Sequence, residues 1–145
     1  MSLEQRPNIV WVVIDALRAD HTSMHGYDRD TTPNLSDIAE RRRGGCGSRC
    51  FSHSIATRTS VSSMLTGVYP AAHGVNMVER AIPDSVRTLP EMLGRVGYHS
   101  MAISRNSHVS RATRLNRGFD QFDWFGSVRS LFVTGDGDIL LRYLL

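Results

Sequence analysis

Pro7-Asn8-Ile9-Val10-Trp11-Val12-Val13-Ile14-Asp15 is the stretch on which the fold turns. Between Asn8 and Asp15 every residue is apolar, and all but Trp11 are β-branched. Such an unbroken run predicts a strand buried on both faces, the kind found in parallel sheets with helices above and below. It is far too short to span a bilayer. The run stops at Asp15. Open α/β sheets bind ligands just past the carboxyl ends of their strands, so a carboxylate there stands where chemistry is done. The plainer alternative is an N-cap for a helix starting at Ala16-Leu17-Arg18-Ala19. Asp20 and His21 follow on the same loop, either as supporting groups or as solvated ones.

Downstream, the pattern alternates between helix and strand signals. Residues 24–31 read as loop. Thr32-Pro33 then opens a helix, with Thr32 as cap and Pro33 in the first turn, where its missing N–H costs nothing. Leu35, Ile38 and Ala39 form the expected inward stripe, and Gly44-Gly45 the stop. Phe51, His53 and Ile55 alternate with serines, which predicts a second strand and makes His53 a strand-face residue. Thr88-Leu89-Pro90-Glu91 is a capping box, opening a helix whose inward side is Leu89, Met92, Leu93 and Val96. A third strand over 98–104 delivers Arg105 and Asn106 to the same sheet edge as Asp15. Asn116-Arg117-Gly118 marks a turn, and the aromatics Phe119, Phe122, Trp124 and Phe125 read as core or cover. Together these elements predict a three-layer α/β/α fold with a mostly parallel sheet.

The chemically suggestive stretch is Thr57-Arg58-Thr59-Ser60-Val61-Ser62-Ser63-Met64-Leu65-Thr66-Gly67. Thr59 or Ser60 suits an N-cap, Val61, Met64 and Leu65 share one helical face, and Gly67 suits the left-handed position that ends a helix. Thr57 is then expected just before a helix N-terminus, where free N–H groups and the positive dipole end attract an anion. Arg58 adds a second cation. A hydroxyl, an anion site and an arginine together suit attack on a sulfate or phosphate ester; the bland alternative is a Ser/Thr-rich cap. His73, in Tyr69-Pro70-Ala71-Ala72-His73-Gly74, reads as a structural hydrogen-bonding group, with a place lining the site as the alternative.

Composition sets bounds on these readings. The chain has 145 residues, 41% of them hydrophobic, enough for one domain with its own core. All 17 basic residues are Arg, against 14 acidic ones, for a net charge of +3. The acids are interspersed, and the basic run at Arg41-Arg42-Arg43 has no interleaved aromatics, so no nucleic-acid footprint is expected. The polar N-terminus lacks the apolar core of a secretory signal, so the expected location is cytoplasmic, with no membrane partner. Cys46 and Cys50 could pair, but without a secretion signal free thiols are expected, and four zinc ligands would need a second pair. The end of the chain, Ile139-Leu140-Leu141-Arg142-Tyr143-Leu144-Leu145, carries no helix-stop signal, so a truncated chain is expected. Exposed edges of an incomplete sheet could drive self-association.

Several of these pieces, in this order, resemble the N-terminal part of the sulfatase family, within the alkaline-phosphatase superfamily. They are Pro7-Asn8-Ile9 through Asp15 with Arg18-Ala19-Asp20, then Thr32-Pro33-Asn34-Leu35, then Leu65-Thr66-Gly67-Val68-Tyr69-Pro70 with His73-Gly74-Val75. Leu89-Pro90-Glu91-Met92-Leu93, Gly97-Tyr98 and Gly118-Phe119-Asp120 complete the set, so that residues 7–124 carry the likeness. The resemblance implies that residues 1–145 are the N-terminal portion of one sulfatase-like domain that hydrolyses small-molecule sulfate or phosphate esters at a divalent metal ion (Ca, Mn, Mg or Zn). By position, Asp15 resembles a metal-ligating aspartate and Thr57 the nucleophile, which in the family also touches the metal. Arg105 falls where the family often has an active-site lysine. Arg58, Arg105 and Asn106 are the expected substrate-binding groups, with Arg58 and Arg105 also assisting catalysis.

The departures from the family pattern shape the chemistry. Sulfatases carry Cys or Ser in C/S-x-P-x-R, which becomes formylglycine, whereas this chain reads Thr57-Arg58-Thr59-Ser60-Val61. Threonine cannot give that aldehyde, so a formylglycine cofactor is not expected and a threonine alkoxide is. The paired aspartates of the family shrink to Asp15-Ala16, and His108 stands one position late for a Lys-x-His pattern. The family's later Asp-His ligand pair has no counterpart here, since Asp136 and Asp138 are not followed by His. The expected function is therefore a metal-dependent ester hydrolase, truncated and inactive as this chain. The rival expectation is a non-catalytic remnant that binds anions or a partner.

Overall fold

The computed structural model describes residues 6–78 and 81–125. The chain divides into two units, Met1–Cys50 and Phe51–Leu145. In the first, single-turn 3-10 helices at Ala19–His21 and Ser23–His25 precede helix α1, Pro33–Glu40. Pro33 does occupy the first turn and Thr32 the N-cap position, but the Thr32 hydroxyl caps nothing. It accepts instead from the Ser23 N–H at 3.0 Å, while the Thr32 N–H donates to Ser23 Oγ at 3.0 Å. This reciprocal pair ties the second 3-10 turn to the start of α1. Gly44 is required at the other end: a Cβ there would collide with the Ile38 carbonyl.

The apolar run 9–14 is the largest departure from the sequence expectation. Among the described residues it pairs with no strand, and its side chains stay exposed, from Trp11 at 49% to Val10 at 86%. A strand buried on both faces needs neighbours on both edges and a layer on each side. The described part of this unit contains only short helices, so β propensity finds no partner. Leu35 and Ile38, expected to face inward, are exposed for the same reason.

The second unit holds α2 (Thr57–Thr66), α3 (Pro70–His73), α4 (Leu89–Arg95), strand β1 (Met101–Ser104) and strand β2 (Gln121–Trp124). The expected strand around Phe51 to Ile55 is absent: both residues are exposed, and Ser52 Oγ bonds the Ser54 carbonyl at 2.6 Å and Ser60 Oγ at 2.8 Å. Local side-chain bonds have taken the role of a ladder. The third expected strand forms at its C-terminal half as β1. It pairs in parallel with β2, Met101 opposite Gln121 and Ser104 opposite Trp124. A parallel pair needs a crossover, and the intervening segment turns through a 3-10 helix at Arg111–Thr113 and buries Leu115. Asp120 fixes the start of the pair by accepting from the Ser100 N–H at 2.7 Å. That bond, ahead of any charge effect, holds the Asp120 carboxyl below its ordinary range. The α/β class expected from the sequence therefore stands. Among the described residues no helix is long and apolar enough to cross a membrane.

The core of the second unit is Leu65, Val75, Ile82 and Leu115, with Val61, Val86, Val109 and Phe119 packed against it. Helix α4 joins through its capping box: Thr88 Oγ1 accepts from the Glu91 N–H at 3.4 Å, and Glu91 Oε2 accepts from the Thr88 N–H at 2.7 Å. Only half of its expected stripe is covered, since Leu89 and Leu93 are half-buried but Met92 and Val96 are exposed. The turn at 116–118 lies against this box. Gly118 has φ +87°, and a Cβ there would come within 2.6 Å of Glu91 Cγ and 2.9 Å of Thr88 Oγ1. Gly118→Ala is expected to cost about 1–3 kcal/mol, from left-handed strain together with a displaced cap. A urea denaturation midpoint equal to that of the unsubstituted chain would disprove this.

Candidate active site

Helix α2 begins at Thr57, with Ala56 as N-cap, so it starts earlier than the expected cap at Thr59 or Ser60. Thr57 is thus the first helical residue rather than the residue before the helix, and Gly67 ends it at φ 71° as expected. Thr59 and Ser60 lie inside the helix and are buried, together with Ser62, Ser63, Leu65 and Thr66. The buried face is therefore mostly hydroxyl, not the apolar stripe of Val61, Met64 and Leu65; Met64 is 37% exposed. This is possible because the hydroxyls of Ser60, Ser62, Ser63 and Thr66 have hydrogen-bond partners. Ser62 Oγ donates to the Arg58 carbonyl at 2.8 Å, and Thr66 Oγ1 to the Ser62 carbonyl at 2.7 Å.

His73 secures the helix from the other side. It is fully buried. The Val75 N–H donates to its Nδ1 at 3.0 Å, so that nitrogen carries no proton, and Nε2 donates to Ser63 Oγ at 3.0 Å. The expectation of a structural hydrogen-bonding role holds. Burial pushes the His73 pKa down, partly offset by the backbone of His73 and Thr59.

At the N-terminus of α2 no side chain caps the helix. The N–H groups of Thr57, Arg58 and Thr59 have no intrahelical acceptor, and the dipole end is positive. Thr57 and Arg58 are half-buried. Arg58 Nη2 donates to His108 Nδ1 at 3.2 Å, while Arg58 Nε is buried with no hydrogen-bond partner. A guanidinium only donates, so neutral His108 carries its proton on Nε2. His108 belongs to the loop after β1, and its N–H donates to Asn106 Oδ1 at 2.8 Å. Trp124 Nε1, on β2, donates to the Asn106 carbonyl at 3.2 Å and steadies the same loop.

The fold thus brings Thr57, Arg58, Asn106 and His108 into one neighbourhood. Asn106 spends its side-chain oxygen on the loop, where it accepts from the His108 N–H. Arg105 is exposed on that loop, and no bond joins it to Thr57 or Arg58 among the described residues. His108 is the contributor that sequence reasoning left without a role. Its signal was the offset Lys-x-His pattern, but only the fold reveals Arg58 as its partner.

Asp15 lies in the first unit, exposed, in a turn where Ala16 has φ 58°. Nearby Asp20 is engaged by Arg18, whose Nε and Nη2 donate to its two oxygens at 2.9 and 2.6 Å. That fork, with a smaller contribution from His21, holds the Asp20 carboxyl well below the usual carboxylate range. Among the described residues no group of three or more His, Cys, Asp or Glu could hold a metal ion. A divalent cation takes more ligands than one carboxylate and one hydroxyl, so these residues alone do not form its site.

The comparisons with known proteins follow the same line. The family model described as Sulfatase matches residues 7–136. N-acetylgalactosamine-6-sulfatase of Homo sapiens is 30% identical over 138 residues, covering 85% of this chain and 26% of the human protein. The Rattus norvegicus protein of the same name is 28% identical over 150 residues, 93% of this chain and 28% of its own length. An ulvan-active sulfatase of Formosa agariphila is 30% identical over 113 residues, 68% of this chain and 18% of its own. The chain spans about a quarter of the length of the N-acetylgalactosamine-6-sulfatases it matches. No solved structure matches.

The lowered His73 pKa has a stability consequence. The unfolded chain takes up the imidazole proton first as pH falls below the ordinary value of 6.5. Stability is therefore fully present above that pH and is lost as pH falls toward the lower folded value. Urea midpoints measured across this range should decline on acidification, and His73→Asn should flatten that decline. An unchanged slope in the variant would exclude His73 as its source.

Proposed function

The chain belongs to the sulfatase family, and on that basis we propose that it carries the N-terminal portion of a hydrolase of small-molecule sulfate or phosphate esters, with Thr57 as nucleophile. The carrying observation is the uncapped start of α2, whose first two residues are Thr57 and Arg58, the latter with a buried Nε that has no hydrogen-bond partner. Free backbone N–H groups, a positive dipole end and a guanidinium are donors fixed before substrate arrives. Such donors stabilise negative charge on the equatorial oxygens of a transferring sulfuryl or phosphoryl group. The Thr57 oxygen would attack the central atom, forming one O–S or O–P bond as the ester bond to the alcohol breaks, and the hydroxyl proton would pass to the leaving alcohol oxygen. Water would then release the group from Thr57. His108 orients Arg58 through the bond it accepts from Nη2. Arg105 and Asn106, on the loop after β1, are the proposed further contacts to the anion.

Asp15 is proposed as one of the carboxylates that hold a divalent metal, which in the family supplies charge neutralisation at the reacting oxyanion. The described residues gather too few ligands for a complete site. The steps above therefore rest on the donors of α2 alone. The proposed setting is a three-layer α/β/α arrangement of the alkaline-phosphatase type, with β1 and β2 as two of its parallel strands.

The same shortage of ligands favours a second reading, a non-catalytic chain that binds anions at the start of α2. Calorimetry with Mn, Ca and Zn separates the two: a folded chain that binds none of them supports the second. For the first, Thr57→Ala in the whole protein is expected to lower hydrolysis of aryl sulfates and aryl phosphates by about a thousandfold or more. Activity retained in that variant would remove Thr57 from the nucleophile's role.

A further inference from the structure

We infer that Cys46 is a base-activated thiol, a modification site for low-molecular-weight disulfides, with His25 as its proton acceptor and Thr22 as the residue that fixes the His25 tautomer. All three lie in the first unit, and none takes part in the proposed ester chemistry. The site therefore stands whether or not Thr57 is a nucleophile.

Proton counting carries the argument. Thr22 is 4% exposed, and its Oγ1 makes two contacts of 2.7 Å, one to the Ala19 carbonyl and one to His25 Nδ1. Each contact needs a proton, and the hydroxyl has only one. A carbonyl oxygen brings none, so the hydroxyl proton goes to Ala19 and the other sits on His25 Nδ1. The reverse assignment would leave two bare oxygens facing each other at 2.7 Å. Neutral His25 therefore presents an unprotonated Nε2, and that nitrogen lies 3.7 Å from Cys46 Sγ.

The geometry also provides for the proton after transfer. Nε2 is 3.4 Å from the Gly47 carbonyl. In the imidazolium form its N–H faces two acceptors, that carbonyl and the new thiolate, while Nδ1–H keeps its bond to Thr22. The arrangement is that of an oriented base beside a nucleophile, held by a third group.

Access is open. Cys46 and Cys50 are both free and exposed, and a Cβ built on Gly45 or Gly47 would meet nothing within 4 Å. In the reaction the Cys46 proton passes to Nε2 and Sγ attacks one sulfur of the reagent. A new S–S bond forms and the reagent's own S–S bond breaks. The second sulfur leaves with the electron pair as a thiolate, so the reagent is reduced as Cys46 is oxidised.

Cys50, on the same loop, serves as the internal control. With 4,4′-dithiodipyridine as probe and release of the thione as readout, Cys46→Ser and Cys50→Ser variants of the 145-residue chain assign each phase. Cys46 is expected to react about tenfold faster than Cys50 in the native chain. His25→Asn should bring the two within about twofold, and both thiols should react alike in guanidinium chloride. An equal native rate, or an advantage that survives His25→Asn or denaturation, overturns the inference. Should His25→Asn lose its native circular dichroism, Thr22→Val decides: a reduced Cys46 advantage supports the site and an unchanged one overturns it.

Discussion

The buried hydrogen bond between His73 and Ser63 is the constraint on which the described part of the second unit depends. It joins α3 to α2 across a face of α2 that buries five hydroxyl side chains alongside Leu65. Ser62, Ser63 and Thr66 are buried with a partner for each hydroxyl, since an unpaired hydroxyl in that setting costs about 1–3 kcal/mol. Once His73 holds α2 at Ser63, the orientation of the whole helix is set. Its first turn, with Thr57 and Arg58, then presents free N–H groups beside the loop after β1.

A second clamp keeps that loop's scaffold in register. Arg117, only 16% exposed in its side chain, reaches the carbonyls of Ile82, Pro83 and Val86 and lies 3.0 Å from Glu91 Oε1 through Nε. Its Nε is aligned with no acceptor, so this contact is Coulombic rather than a directed hydrogen bond. Glu91 is at once the capping-box acid of α4 and the partner of Arg117. Its carboxyl is held below the ordinary range by the Thr88 N–H and by Arg117, against the opposing effect of burial. The turn at Gly118, the start of α4 and the segment around Ile82 are thereby tied together at a few polar atoms. The apolar core they surround is small, which is why these polar ties matter to the fold.

The single-turn signals were the most legible in the sequence. Pro33 in a first turn, the Thr88–Glu91 box, Gly67 at a left-handed position and the turn at 116–118 all follow from interactions made within a few residues. Expectations that needed distant partners fared otherwise. The run 9–14 has every local mark of a buried strand, yet a strand is defined by neighbours, and none pairs with it among the described residues. The stripe on α1 and half of that on α4 met the same outcome. At the candidate site, Thr57 and Arg58 were legible as a hydroxyl and a cation near a helix start. The Arg58–His108 bond spans fifty residues of chain, and no spacing rule could have pointed to it.

By itself, the sequence determined the α/β class, the family and the local punctuation of helices, because these rest on side-chain size, backbone freedom and short-range hydrogen bonding. Tertiary structure alone decided which hydroxyls of α2 turn inward, which nitrogen of His73, His108 and His25 bears the proton, and which groups share the neighbourhood of Thr57. Those outcomes depend on atoms brought together from separate stretches, where a proton has to be shared between partners that only the folded chain supplies.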